Sequence, residues 1–197
     1  MTIELIGPGG AGKTTTGSMI SSRLGIRFVD LDRLFASQHG DIGDFIDRHG
    51  YDQYARQNVE VYRSFRDTVT SAAVLALSSG FMTYASDIHP EYAVVREAII
   101  RSPTAFVLLP SLDLEVCVSE TVRRQSRRPF ARPPAREEAV IRERFPIYVR
   151  LPPRKIETMR SPDAIAEEVV VALQRQSQPS HTPGCGPHLL PYHRCTN

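Results

Sequence analysis

The sequence lacks an apolar run of about 18 residues, the length that a membrane-spanning helix needs. Its first residues also lack the basic and apolar regions of a signal peptide, so we expect a cytoplasmic protein without a membrane partner. Cysteine is scarce. Cys117, Cys185 and Cys195 show no zinc-type spacing, and an odd number of cysteines fits a reducing compartment where thiols stay free. We therefore predict no structural disulfide.

The chain also lacks a strong excess of charge of one sign. Its 24 basic and 22 acidic residues give a formal net charge of +2, a balance too even to indicate nucleic acid, and we expect no nucleic-acid partner. The basic residues concentrate between positions 123 and 154, which is typical of either a solvated surface or a polyphosphate-binding region. With 197 residues, of which 41% are hydrophobic, the chain has the size and composition of one folded domain.

A glycine-rich loop near the N-terminus carries the clearest chemical signal. Residues 7–14 read GPGGAGKT and satisfy the pattern G-x-x-x-x-G-K-[ST], between a predicted strand at 2–6 and a predicted helix at 13–23. Glycines let backbone N–H groups turn toward phosphate oxygens, and the helix directs its positive end at them. In this pattern the lysine reaches the β- and γ-phosphates and the threonine hydroxyl binds Mg²⁺. The loop predicts binding of ATP or a similar nucleoside triphosphate. The candidate ATP-binding residues in it are Gly7, Gly9, Gly10, Ala11, Gly12, Lys13, Thr14 and Thr15.

The rest of the chain predicts an α/β fold. Apolar runs bounded by turn residues predict further strands at 27–31, 74–77, 105–109 and 155–158. Helical patterns predict helices at 53–69, 112–124, 136–145 and 162–174, the last capped by Ser161. Residues 127–134 (RRPFARPP) cannot continue a helix and are predicted to form a mobile loop. We predict three layers, with helices on both sides of a central parallel sheet of about five strands.

The segment 176–197 is rich in proline, glycine and histidine and has no periodicity, so we predict a disordered tail. Five histidines and cysteines of this segment are of the types that bind zinc, but their spacings match no familiar zinc finger. These residues are His181, Cys185, His188, His193 and Cys195.

Two aspartates stand at the end of the strand predicted at 27–31. Asp32 is placed to accept a proton from an acceptor hydroxyl or to bind a metal ion, and the alternative is a helix N-cap or a surface carboxylate. With Thr14 and Asp30 it forms the candidate Mg²⁺ site. Arg128 lies in the predicted mobile loop, where a guanidinium is able to close over the γ-phosphate; the alternative is a solvated basic loop. Lys13, Asp32 and Arg128 are the candidate catalytic residues.

The order of these features resembles the shikimate kinase family over about residues 1–174. The resemblance implies a nucleoside-monophosphate-kinase-like P-loop kinase fold, and phosphorylation of a hydroxyl of a cyclic acid with ATP and Mg²⁺. Residues 25–32 (GIRFVDLD) resemble the family's strand ending in Asp-x-Asp, which makes Asp32 the implied contact of the acceptor hydroxyl. Arg128-Pro129-Phe130 resembles the lid motif, and Arg124 lies near the family's other lid arginine, on the ATP side. Arg144, in RFPIY, resembles the arginine that binds the acceptor's carboxylate.

The acceptor site departs from the family pattern. Where the family has Phe-Arg-x-x-Glu, with a paired arginine and glutamate, residues 54–58 read YARQN, so Ala55 and Asn58 stand at the two positions. Arg56 lies one residue away, about 100° around a helix, and would replace the missing guanidinium only with a shift in register or backbone. The family's three-glycine turn is replaced by serine, serine and glycine. The candidate acceptor-binding residues are Asp32, Arg56, Ser78, Ser79, Gly80 and Arg144. Joint loss of an ion pair indicates a different acceptor rather than an inactive enzyme.

We therefore predict a P-loop kinase domain at 1–175, with an acceptor-binding insert at 33–70 and a mobile lid at 123–136. The predicted activity is transfer of the γ-phosphate of ATP to a hydroxyl of a small anionic metabolite, by a monomer or homodimer. Three alternatives stay open at this point: a shikimate kinase proper, a nucleoside or nucleotide kinase, and a non-kinase nucleotide-binding regulator.

Overall fold

The structure, a computed structural model, describes residues 1–127 and 133–177. Its described strands form one parallel sheet in the order β2-β3-β1-β4-β5. The strands are β1 Thr2–Ile6, β2 Arg27–Asp30, β3 Ala73–Ala76, β4 Ala105–Leu109 and β5 Arg154–Glu157. The helices are α1 Lys13–Leu24, α2 Leu31–His39, α3 Ile42–His49, α4 Tyr51–Thr68, α5 Tyr92–Arg101, α6 Leu114–Gln125, α7 Pro134–Arg150 and α8 Pro162–Ser177, with a 3₁₀ turn at Phe81–Thr83.

The three inner strands are buried on both faces, which explains their nearly continuous apolar sequences. Alternate residues along each strand face opposite layers. Ile3 and Leu5 of β1 belong to the core that also holds buried residues of α8 such as Val169. Ile6 belongs to the other core, which holds buried residues of α4 and α7, including Tyr148. The predicted three-layer α/β fold with a parallel five-stranded sheet is confirmed.

Several predicted boundaries need correction. The strand predicted at 27–31 ends at Asp30 because that side chain accepts hydrogen bonds from the backbone N–H groups of Asp32 and Arg33, at 3.1 and 3.3 Å, and so caps α2. The sequence reading assigned no helix to α2 or to α5. The helix predicted at 136–145 runs on to Arg150 although Pro146 lies inside it.

The segments outside the described residues include parts of two predictions. Residues 128–132 fall in the predicted lid at 123–136, and residues 178–197 fall in the predicted tail. Among the helices of the described ranges, none combines the length and the apolar character that crossing a membrane requires.

Candidate active site

The phosphate-binding loop joins the end of β1 to the start of α1. Gly12 takes the N-cap position with a φ of +90°, and no side chain caps the helix, so the first N–H groups of α1 are left to meet a ligand. Gly7 has a φ of +148°, and a Cβ placed there would lie 2.2 Å from the carbonyl oxygen of Leu108. The loop therefore passes too close to β4 for any other residue at this position.

Lys13 and Thr14 are the polar side chains at the start of α1. The Lys13 Nζ donates hydrogen bonds to the carbonyl oxygens of Gly7 and Pro8, at 2.7 and 2.9 Å, so the ammonium lies against the loop. The Thr14 hydroxyl donates to Asp30 Oδ2 at 2.7 Å. Because the other oxygen of Asp30 caps α2, this carboxylate connects the phosphate loop to the helix that carries Asp32.

Asp32 lies half-buried in the first turn of α2. The Tyr54 hydroxyl, on α4, points at its Oδ1 across 3.4 Å. Burial, with the negative charge of Asp32 as the next cause, raises the pKa of Tyr54 above its usual value, so this phenol stays protonated and acts as a donor. Asp32 thus keeps its second oxygen for another partner.

One cleft brings most of the predicted donor residues together with the acceptor side. It is lined by Gly9, Gly10, Ala11, Gly12, Lys13, Thr14, Thr15, Asp30, Asp32, Leu77, Ser79 and Gln125. Within it, the hydroxyl of Thr14 and the carboxylates of Asp30 and Asp32 are hard oxygen donors, the kind that Mg²⁺ takes together with substrate phosphates. The residues present therefore fit Mg²⁺.

A buried, neutral hydrogen-bond network that includes Ser78, next to the cleft residue Ser79, stands in place of the family's ion pair. Asn58 is fully buried, its Nδ2 donates to the Tyr84 hydroxyl at 2.8 Å, and its Oδ1 accepts from the Ser78 hydroxyl at 3.3 Å. Ala55 is also buried, with 1% of its surface exposed. Burial raises the pKa of Tyr84 well above its usual value, so the network carries no charge at neutral pH.

Arg144 of α7 lies beside the serine-glycine turn. Its Nη2 donates to the Tyr51 hydroxyl at 2.9 Å, and its guanidinium carbon lies 5.9 Å from the centre of the Tyr51 ring. Both side chains lie beside Gly80, where an added Cβ would be 2.4 Å from the Tyr51 hydroxyl and 3.3 Å from Arg144 Nη1. Tyr148, also on α7, donates its hydroxyl to the Ser79 carbonyl and holds the serine-glycine turn in place.

Arg56 lies elsewhere. It is exposed on α4 and lines a separate groove with Gln53, Asp87 and His89, whereas Ala55 points into the core. One residue along a helix turns the side chain by about 100°, and the backbone of α4 makes no shift that offsets this rotation. The expectation that Arg56 supplies the missing guanidinium is not met in this conformation.

Arg124 of α6 connects the phosphate loop with the loop after β5. Its Nη1 donates to the Gly10 carbonyl and the Thr158 hydroxyl, both at 3.1 Å, and its Nη2 donates to the Thr158 carbonyl at 2.8 Å. Hydrogen bonds from Arg123 and then Arg124 lower the pKa of Glu120 to about 2, which keeps the carboxylate charged. Arg128, the candidate lid arginine, lies outside the described residues.

The sequence reading missed Gln125, Tyr51 and Tyr148 as site residues. Gln125 Nε2 lies 2.2 Å from the position of a Cβ on Gly9, so the amide covers that glycine, and it also points at Glu137 of α7 across 3.5 Å. Tyr51 and Arg144 are separated by 93 positions in the sequence. No local sequence pattern predicts a contact between residues so far apart. Tyr51 and Tyr54, beside and within the altered YARQN segment, are a compositional hint of an aromatic site.

Comparison with known proteins agrees with this arrangement. The family model for shikimate kinase matches residues 9–174. A shikimate kinase from a Marinomonas species is 30% identical over 184 residues, covering 88% of this chain and 92% of that protein. A pentafunctional AROM polypeptide from Schizosaccharomyces japonicus is 37% identical over 81 residues, and this match spans 41% of the chain but only 5% of the polypeptide.

Solved structures show the same fold. The shikimate kinase from Acinetobacter baumannii, solved in complex with shikimate, aligns with a TM-score of 0.66 and 23% identity, covering 89% of this chain and 94% of that one. A gluconokinase from Sinorhizobium meliloti aligns with a TM-score of 0.58 and 16% identity, covering 89% and 92%. With its family model, a full-length relative and a P-loop kinase fold in agreement, the chain belongs to the shikimate kinase family and is an ATP-dependent kinase that phosphorylates a hydroxyl group of a small molecule.

Proposed function

We propose that this kinase transfers the γ-phosphate of ATP to a hydroxyl of a small anionic metabolite, with Mg²⁺ as cofactor, and that shikimate is the first acceptor to test. One observation supports the proposal most strongly. Asp32 and Ser79 line the same cleft as the phosphate-binding loop. Phosphoryl transfer depends mainly on holding donor and acceptor in line and on neutralising charge, and this cleft offers groups for both tasks.

The donor half would bind the phosphates through backbone N–H groups of the loop and the N-terminus of α1. Lys13 would turn from the loop carbonyls toward the β- and γ-phosphates and neutralise their charge. Mg²⁺, when bound through Thr14, Asp30 and Asp32, would neutralise charge on the phosphate oxygens. Arg124 already lies against Gly10, which supports its assignment to the ATP side. The catalytic assignment of Arg128 rests on its sequence motif.

In the acceptor half, Asp32 would accept the proton of the attacking hydroxyl. Its carboxylate receives one hydrogen bond from Tyr54, which orients it without removing its charge. Arg144 would bind the anionic group of the acceptor, and the turn at Ser78, Ser79 and Gly80 would form the wall between them. We also propose a cytoplasmic location and a monomeric or homodimeric state.

An ADP-release assay with ATP, Mg²⁺ and a panel of hydroxylated compounds tests this proposal. The panel contains shikimate, quinate, gluconate and nucleosides, and Lys13→Ala is the inactive control. The proposal predicts saturable ADP release with at least one hydroxy acid. Turnover with nucleosides and with no hydroxy acid would favour the alternative that the protein is a nucleoside kinase. Slow ATP hydrolysis that no compound accelerates would favour the alternative of a nucleotide-binding regulator.

A further inference from the structure

We propose, on the basis of the proposed function, that Tyr51 is a specificity-determining residue that binds the acceptor's anionic group together with Arg144. The acceptor's carboxylate then accepts hydrogen bonds from a phenol and a guanidinium. In this arrangement a tyrosine hydroxyl performs the task for which the family pattern has a second arginine, at the position that is Ala55 here.

The contacts of Tyr51 support this role. Its hydroxyl lies 2.9 Å from Arg144 Nη2, so a phenol and a guanidinium already point at one place. Tyr51 is 39% exposed, and it lies beside Gly80, the residue after the cleft residue Ser79. A phenol O–H and a guanidinium both donate hydrogen bonds, and a carboxylate accepts them from both at once.

The Tyr51 hydroxyl also packs closely against the backbone at Gly80. An added Cβ on Gly80 would lie 2.4 Å from the Tyr51 hydroxyl, so only glycine allows the phenol to approach the turn. Two tyrosine rings then extend from this point toward the proton acceptor. The centres of the Tyr51 and Tyr54 rings are 5.8 Å apart, and the Tyr54 hydroxyl is 3.4 Å from Asp32. Tyr51 and Tyr54 therefore connect Arg144 with Asp32 through successive contacts.

The guanidinium of Arg144 beside Tyr51 favours an anionic group at this place. The buried network of Asn58, Ser78 and Tyr84 is neutral, and the described contacts around Tyr51 and Gly80 include one guanidinium, that of Arg144. A carboxylate is matched by one guanidinium and one phenol hydroxyl.

Kinetics with a charged and a neutral form of the same ring test the inference. The assay compares shikimate with its methyl ester in the wild type and in Tyr51→Phe. We expect Tyr51→Phe to raise KM for shikimate about tenfold or more, as expected for loss of a hydrogen bond to a charged group, with kcat nearly unchanged. KM for the ester should not change. An equal change for acid and ester, or none for the acid, would overturn the inference.

A matched variant separates recognition from stability. Tyr92→Phe removes the same atom from a fully buried tyrosine, whose hydroxyl donates to the Phe81 carbonyl at 2.6 Å. This variant should unfold at a lower temperature and keep the wild-type ratio of the KM for shikimate to the KM for its ester. Tyr51→Phe should change the ratio and keep the unfolding temperature.

Binding is measured separately from turnover through Tyr51→Trp. The sequence contains no tryptophan, so this indole is the sole tryptophan reporter, and its N–H replaces the phenol as donor. We expect shikimate to change its fluorescence with saturation and the methyl ester to bind at least about tenfold more weakly, a difference that an added Arg144→Gln abolishes. Binding without turnover would refute the proposed function and support this inference. No response to shikimate, or equal responses to acid and ester, would overturn the inference.

Discussion

At the scale of single residues, Asp30 and Asp32 divide two tasks between them. Asp30 uses one oxygen to cap α2 and the other to accept from the Thr14 hydroxyl, so it fixes the phosphate loop relative to the helix. Asp32 receives one phenol from Tyr54 and keeps an oxygen directed to the cleft. We therefore propose Asp32 rather than Asp30 as the acceptor of the proton.

Asp32→Asn should lower kcat by about 10²–10⁴-fold, the usual contribution of a general base, while the Kd for ATP measured without Mg²⁺ stays nearly the same. The reason is that the amide keeps the shape of the carboxylate and cannot accept the proton. Asp41→Asn is the matched control, since Asp41 caps α3 through a bond from the Asp44 N–H, and asparagine caps equally well. Full activity of Asp32→Asn would contradict the assignment.

Gly7→Ala should destabilise the fold and abolish ATP binding. Its Cβ would meet the Leu108 carbonyl at 2.2 Å, a backbone atom that cannot move aside. Gly25→Ala is the control, because Gly25 has left-handed backbone angles (φ +64°, ψ +30°) with no atom within 4 Å of the added carbon, and should cost only the left-handed strain of about 1–2 kcal/mol. Denaturant unfolding measures both variants. Equal losses of unfolding free energy in Gly7→Ala and in the control variant would show that the close contact of Gly7 with β4 is unimportant.

At the scale of elements, α7 shows how tertiary contacts override a local signal. Pro146 removes an N–H from the helix interior, and for that reason the sequence reading ended the helix at 145. The structure continues it because Tyr148 is buried and donates to the turn after β3. β1 and β4, by contrast, were predicted to the residue, since uninterrupted apolar runs ending at glycine or proline leave few other choices.

The contact between β1 and α4 predicts a pH effect on stability. Burial raises the pKa of Glu4 above its usual value of 4.5, against opposing contributions from the Tyr62 hydroxyl, Arg66 and Ser102. The folded protein therefore holds this proton to a higher pH than the unfolded chain. Stability from this group is greatest below the unfolded pKa and falls as pH rises through the folded one.

Glu4→Gln should remove that fall, because glutamine has no proton to release and still accepts from Tyr62. We expect a smaller loss of unfolding free energy than in the wild type as pH rises from about 4 to about 7. The exposed Glu97→Gln is the control and should leave the slope unchanged. Parallel profiles for wild type and Glu4→Gln would contradict the assigned pKa direction.

At the scale of the whole molecule, the sheet order places the cleft. β1 lies between β3 and β4, so the strands that follow β1 in the sequence lie first on one side of it and then on the other. Where the strand order reverses in this way, ligands bind beyond the carboxyl ends of the strands. This location and the donor residues were predictable from the loop motif. The contacts among Tyr51, Tyr54 and Tyr84 were not predictable, because aromatic residues of a pocket and of a core show the same sequence pattern. The contact of Tyr51 with Arg144 is likewise visible only in the structure.

Nucleotide binding should stabilise the entire domain. A non-hydrolysable ATP analogue with Mg²⁺, at about 100 times its Kd, adds about 2.7 kcal/mol to the unfolding free energy. For a domain of this size the unfolding temperature then rises by roughly 5–10 °C. Lys13→Ala should lose most of this shift, whereas Lys155→Ala, at the other lysine of the sequence, should keep it. A shift retained in Lys13→Ala would contradict the assigned phosphate contact.

The most direct test of the central claim is acceptor-dependent ADP formation by the wild-type chain with ATP, Mg²⁺ and shikimate, with Lys13→Ala and Asp32→Asn measured in parallel. We expect saturable turnover with shikimate or another hydroxy acid of the panel, lost in Lys13→Ala and strongly reduced in Asp32→Asn. ATP binding with no acceptor-dependent ADP from any hydroxy acid would contradict it.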